Sequence, residues 1–186
     1  MFKDFSKKYL GELKEGMDNI DLEKLSKIVE ILEKAYENDK QVFIFGNGGS
    51  CATASHFAED LNKCCLIENE KRFRVISLTD NIPLISALAN DEGYEFVFSK
   101  QLEGLMEEGD VVIGISGSGN SENVLNGIKF GNEKGISIGL GGFDGGKLKD
   151  LCKECLIVPL NHMGKVEDLH LVIAHMIIYY FIRKNE

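Results

Sequence analysis

The chain is poor in basic residues, poor in proline, and without a long hydrophobic run. Over 186 residues, 21 Lys and Arg stand against 30 Asp and Glu, a net charge of −9. That balance argues against nucleic acid or an anionic membrane as a general partner, because repulsion from phosphate opposes long-range association. A small anionic ligand remains admissible, since backbone N–H groups bind it locally. Two prolines against 20 glycines point to close backbone approaches rather than rigid linkers. The longest apolar stretch, 171–182, is interrupted by His175 and is too short to span a bilayer. The N-terminal segment MFKDFSKKYLGELKEG is charged throughout. No secretory signal is therefore expected, and the five cysteines are expected as reduced thiols in the cytoplasm. Cys64 and Cys65 are adjacent, and Cys152 and Cys155 form a lone C-x-x-C. A structural zinc ribbon wants a second such motif, which is missing. The pair reads as small buried residues, with redox or zinc use as the alternative.

What is present is an alternation of strand and helix signals. The hydrophobic content of 44% suits one globular domain over 1–186. Residues 1–39 read as a helical pair. Phe2, Phe5, Tyr9 and Leu13 recur at spacings of three and four, and Asp21 is an N-cap before the stripe Leu22, Leu25, Val29, Leu32, Tyr36. From residue 40 onward, apolar runs at 41–45, 73–78, 110–116, 136–142 and 155–160 are predicted as strands covered on both faces. Helices are predicted over 51–61, 83–88, 94–106, 121–134, 146–151 and 166–184. The pattern predicts an α/β fold: a three-layer, doubly wound domain with a five-stranded parallel sheet, preceded by N-terminal helices.

Two glycine–serine loops fall at strand ends, where such folds bind ligands. GNGGS (46–50) follows the first strand and opens a helix, and SGSGNS (116–121) repeats the device after the third. Glycines allow the tight turn, and the helix N-terminus then presents N–H groups to an anion. Ser50, Ser116, Ser118 and Ser121 add hydroxyl donors. Neither loop matches the P-loop or dinucleotide pattern, so no nucleotide cofactor is expected. Hydroxyls and amides without a lysine suggest a sugar phosphate.

The four histidines are His56, His162, His170 and His175. Asp60 lies four residues after His56, so both project from one helix face. Glu167 and His175 are eight apart on the last helix, within roughly 80° of each other. Two imidazoles and two carboxylates from two helices suit either zinc binding or acid–base work. His170 reads as structural or supporting, and His162 has no assigned role.

The segments FGNGGSCATASHFAEDL, GISGSGNSENV and VEDLHLVIAH resemble the SIS (sugar isomerase) domain family, in its phosphoheptose isomerase branch. The resemblance covers essentially the whole chain. It implies an aldose–ketose isomerase converting sedoheptulose 7-phosphate to D-glycero-D-manno-heptose 7-phosphate, a precursor of surface glycans. It matches Ser50, Ser116, Ser118 and Ser121 to the serines that hold the phosphate, with Asn47 and Gly48 lining the same loop. It matches Asn90 and Asp91 to an Asn-Asp pair near the sugar hydroxyls, where the residues alone read as a turn. It implies Asp60 and His175 as the catalytic pair, and His56, Asp60, Glu167 and His175 as the zinc ligands of those members that bind metal. Two positions depart from the pattern: Asp60 stands where Glu is usual, and Glu167 where some members have Gln. Glu59 points about 100° away from Asp60 around the helix, which favours Asp60. The alternatives are a non-catalytic SIS-domain regulator that binds a partner protein or senses a sugar phosphate, and an isomerase of another sugar phosphate.

The last helix is apolar nearly all round, from Leu169 through Ile177 and Phe181 to Ile182. A helix on one side of a sheet needs one apolar face, so the surplus predicts contact with another subunit. The resemblance implies a homotetramer.

Overall fold

The computed structural model describes residues 1–64 and 71–184; Cys65 lies outside them. Helices α1 (Phe2–Asp18) and α2 (Leu22–Glu37) precede β1 (Gln41–Gly46) and α3 (Gly49–Cys64). Then come β2 (Arg74–Ser77), α4 (Ile82–Asp91), a short 3-10 turn (Tyr94–Phe96), α5 (Ser99–Leu105), β3 (Val111–Ser116) and α6 (Glu122–Lys134). β4 (Ile136–Gly142), α7 (Leu148–Leu151), β5 (Glu154–Val158) and α8 (Met163–Lys184) complete the chain. The Asp21 cap is in place: its carboxylate accepts from Lys24 N–H at 3.0 Å.

The helix predicted over 94–106 is divided. Gly93 turns the chain with a φ of 113°, and the tight turn at Tyr94–Phe96 delivers the adjacent Val97 and Phe98 into the core, both buried. Phe98 stacks on Phe45 with ring centroids 5.0 Å apart. The Asn90–Asp91 pair forms the last residues of α4, so the turn begins two residues later than its sequence suggests.

Among the described residues, all five strands are parallel, in the order β2-β1-β3-β4-β5. Alternate residues feed two cores. Val42 and Ile44 face α2, α3 and α8, while Phe43 and Phe45 face α5 and α6. This is the three-layer arrangement that near-continuous apolar strands demand. The order has a functional consequence. From β1 the chain crosses to β2 on one side, then returns to β3 on the other. The connections therefore diverge at β1 and β3 and leave a crevice at their carboxyl ends. Gly46 pairs with Ile115, so both strands end level and deliver the two glycine–serine loops to that crevice.

Two helices keep apolar surface outside the core. Phe2 and Phe5 of the α1 stripe are 79% and 60% exposed. On α8, Ile177 and Phe181 are buried within the chain, and the surplus falls on Met176, Tyr179 and Tyr180. Among the described residues, no helix is long and apolar enough to cross a membrane.

Candidate active site

The first loop is built on Gly48, whose φ is 56°. Its carbonyl accepts from Cys51 and Ala52 N–H at 3.1 and 3.2 Å, which starts α3 directly beneath the loop. Ser50 is buried there. In the second loop, Ser116 Oγ donates to Ser121 Oγ at 3.2 Å, and Asn120 N–H donates to Ser118 Oγ at 3.2 Å. Gly119 has a φ of 64°, and a Cβ there would run into the Gly145 carbonyl. Only glycine satisfies both demands. The start of α7 braces this loop from behind: Leu148 N–H donates to Gly119 O at 3.0 Å and Lys147 N–H to Asn120 Oδ1 at 3.2 Å. The N-termini of α3 and α6 both open at the crevice, and their amides and dipoles favour an anion between them.

The loops are tied to each other. Asn47 Nδ2 donates to Asn123 Oδ1 at 2.8 Å, and Asn123 Nδ2 donates back to Asn47 Oδ1 at 2.9 Å. Tyr94 Oη also donates to Asn47 Oδ1, at 2.8 Å. The sequence reading missed Asn123 and Tyr94. A polar residue immediately before the apolar pair Val124-Leu125 is a signal for Asn123; Tyr94 carries none. Asn90 Nδ2 donates to Asp91 Oδ1 at 2.7 Å, and both residues are exposed at the end of α4.

Beyond the loops, α3 and α8 pack together and bring three of the four expected acid–base residues into one cluster. His56 Nε2 lies 3.2 Å and His175 Nε2 3.8 Å from Asp60 Oδ2. The two rings meet edge to face with centroids 5.1 Å apart. The Asp60 side chain is 14% exposed and the two imidazoles 45% and 40%, so the carboxylate is the most covered of the three groups. One nitrogen or oxygen from each residue lies within 4.8 Å of the others, and this is the one such group among the described residues. Tetrahedral zinc with Zn–N and Zn–O bonds near 2.0–2.2 Å needs ligand atoms roughly 3.3–3.6 Å apart. The donor set of two imidazoles and a carboxylate therefore suits zinc, with the 3.8 Å from His175 Nε2 to Asp60 Oδ2 wider than a bound ion would leave it.

Glu167 is placed elsewhere. Its carboxylate lies against Gly49 at the start of α3, 2.5 Å from where a Cβ would sit. It stands by the first loop, outside the three-residue cluster. Glu59 points away and pairs with Lys63 at 3.3 Å, as its angle on the helix requires. His162 meets Tyr9 edge to face at 6.0 Å.

His170 is fully buried, and its Nε2 bonds Gly141 O at 2.9 Å. Among the described residues its Nδ1 has no partner. Burial holds its pKa down to about 4, only partly opposed by the Gly141 carbonyl. The ring is thus neutral at pH 7 and pins α8 to the end of β4. Cys152 and Cys155 are free thiols, both 2.8 Å from the Cβ position of Gly139. A hydrogen bond from Cys152 and the charge of Lys24 pull the Cys155 thiol down, and the same bond with burial pushes Cys152 up.

Comparison with known proteins supplies the lineage. The family model of the SIS domain matches residues 7–140. The probable phosphoheptose isomerase of Thermoplasma acidophilum is 40% identical over 173 residues, 92% of this chain and 94% of its own. The phosphoheptose isomerase of Clostridium acetobutylicum is 41% identical over 158 residues, 84% of this chain and 80% of its own. Among solved structures, the phosphoheptose isomerase of Neisseria gonorrhoeae superposes with a TM-score of 0.90 at 29% identity, covering 97% of this chain and 98% of that one. The NanR protein of Vibrio vulnificus, solved in complex with ManNAc-6P, at 17% identity and a TM-score of 0.68 over 99% of this chain and 63% of that one, shares the fold alone. The loops at the crevice, the α3–α8 cluster and these likenesses agree: the chain belongs to the SIS domain family, on its phosphoheptose isomerase branch.

Proposed function

We propose that this protein isomerises sedoheptulose 7-phosphate to D-glycero-D-manno-heptose 7-phosphate. The single observation that carries the reading is the Asp60 carboxylate between two imidazoles, on the helix whose first turn carries Ser50. One helix thus joins an anion site to a proton-transfer site. Asp60 lies ten residues beyond Ser50, about 15 Å along the axis at 1.5 Å per residue. Such a separation favours a long open-chain sugar phosphate over a triose.

The reaction removes a proton from C1 of the ketose and delivers one to C2 through an enediol. Ser50, Ser116, Ser118 and Ser121, with the loop amides around Gly48, hold the phosphate. Asp60 takes the proton from carbon, and His175 serves the adjacent oxygens. Asn90 and Asp91 face the sugar hydroxyls. His56, Asp60 and His175 would hold zinc, which when bound polarises a carbonyl oxygen.

The protein is proposed to work in the cytoplasm, where phosphorylated sugars are made and used, and as a homotetramer. The exposed apolar residues Phe2, Phe5, Met176, Tyr179 and Tyr180 support assembly.

Steady-state kinetics of Asp60→Asn and His175→Gln test the assignment. Each is expected to lower kcat by about a hundredfold or more, the size of a lost positioned acid or base, with little change in phosphate affinity. Full activity in both variants overturns it. Metal content of the parent and of His56→Ala, with activity before and after chelation, decides whether zinc belongs to the mechanism.

A further inference from the structure

Three segments that face the proposed substrate meet at one side chain, the carboxamide of Asn47. Its Oδ1 accepts from Tyr94 Oη and from Asn123 Nδ2, and its Nδ2 donates to Asn123 Oδ1, at 2.8–2.9 Å. Both lone-pair positions of Oδ1 and one of its two N–H groups are engaged. Asn123 is 2% exposed, and its Oδ1 also accepts from Val124 N–H at 2.9 Å. A buried, reciprocal amide pair resists opening, because parting the two residues leaves polar groups unpaired away from water.

We propose that the Asn47 carboxamide couples the two loops, and that Asn123 and Tyr94 are positioning residues acting through it. The proposal rests on the sugar-phosphate reading above. Asn123 opens α6 just after Ser121, and Asn47 sits between β1 and Ser50. Their pairing fixes the spacing of the two serine loops, which must close on one phosphate from both sides. Misplacement by about 1 Å is enough to weaken such a site strongly. Tyr94 acts on a different segment. It follows Asn90 and Asp91 across the turn at Gly93, and its ring is 55% exposed at the rim. Its hydroxyl moors that turn to the loop, so Tyr94 governs how the sugar end is held and which chain lengths fit. The two residues therefore carry separable duties: Asn123 serves phosphate affinity, and Tyr94 serves discrimination among sugars.

The test compares the parent with Asn123→Ala and Tyr94→Phe. Inorganic phosphate binding is measured by calorimetry. Values of kcat and KM are measured with sedoheptulose 7-phosphate and with five- and six-carbon ketose phosphates. Asn123→Ala is expected to weaken phosphate binding about tenfold and to raise KM for every sugar alike, with kcat within threefold, as two lost hydrogen bonds imply. Tyr94→Phe, a rim substitution that leaves the core intact, is expected to keep phosphate affinity within twofold. Its preference among sugars should narrow by about fivefold, the scale of one lost bond. Asn123→Ser replaces the alanine variant if that one unfolds. Unchanged phosphate affinity in the folded Asn123 variant overturns the coupling. Unchanged preference in Tyr94→Phe, or a phosphate loss as large as that of Asn123→Ala, overturns the division of duties. A parent that isomerises none of these sugars refutes the functional reading instead, and the phosphate arm still decides the loop coupling.

Discussion

Replacing His170 by Gln should remove a specific acid sensitivity from the fold. The imidazole is fully buried, bonded through Nε2 to Gly141 O, and unpartnered at Nδ1 among the described residues. Its pKa falls from the model-compound 6.5 to about 4 because burial penalises the charged ring. In the unfolded chain His170 takes a proton near pH 6.5, whereas in the folded chain it does not until about pH 4. Between those values the unfolded state binds more protons, so stability rises with pH across the window and is lost as pH falls through it. From pH 8 to pH 4.5 the loss amounts to about 2.5 kcal/mol, at about 1.4 kcal/mol per pKa unit. For a chain of this size that corresponds to about 5–10 °C in Tm. Urea unfolding of the parent and His170→Gln at pH 8, 6 and 4.5 isolates the effect, since all other titrating groups are shared. Glutamine lowers stability at every pH through lost packing, but the gap between the two proteins should close by about 2.5 kcal/mol on acidification. A gap that stays constant would refute the reasoning, and with it the picture of α8 pinned to β4 by a neutral ring.

Three further outcomes follow from the same geometry. Ser116→Ala removes a hydroxyl aimed at the crevice. Each lost bond to a charged oxygen costs about 1.5–3 kcal/mol, so KM for the sugar phosphate should rise roughly tenfold to a hundredfold with kcat nearly unchanged. An unaltered KM contradicts the phosphate site. Met176→Glu combined with Tyr179→Glu should leave a folded chain of lower mass by light scattering, because both residues lie on the exposed face of α8. Ile177→Glu should instead prevent folding, since Ile177 is buried within the chain; a parent that is already monomeric contradicts the assembly argument.

The strands were legible because each is a short, almost unbroken apolar run ending in glycine or a polar turn, a pattern that survives without tertiary information. The strand order was not, since periodicity says which faces are covered but not which neighbours pair. It is that order which explains why GNGGS and SGSGNS meet. His56 and Asp60 were legible as a pair from their spacing of four, and helix geometry separated Asp60 from Glu59. Glu167 shows where spacing fails. Its angle to His175 on α8 is modest, but the eight residues between them span about 12 Å along the axis, which carries the carboxylate to Gly49 instead of to Asp60. On the same helix, composition alone could not sort Ile177 and Phe181 from Met176 and Tyr179, because all are apolar and only the packing of α8 against α3 and the sheet divides them. Tyr94 was invisible for a similar reason. Its partner Asn47 lies 47 residues away, and the contact depends on the turn at Gly93 just before a predicted helix.

Proton exchange tests the central claim most directly. Sedoheptulose 7-phosphate incubated with the protein in deuterated water and followed by NMR should yield the aldose. Deuterium should enter C2 of the aldose and C1 of the recovered ketose, and Asp60→Asn should slow isomerisation and labelling together by about a hundredfold or more. Absence of aldose, or interconversion in which neither carbon takes up solvent deuterium, would contradict a proton-transfer isomerase built on Asp60.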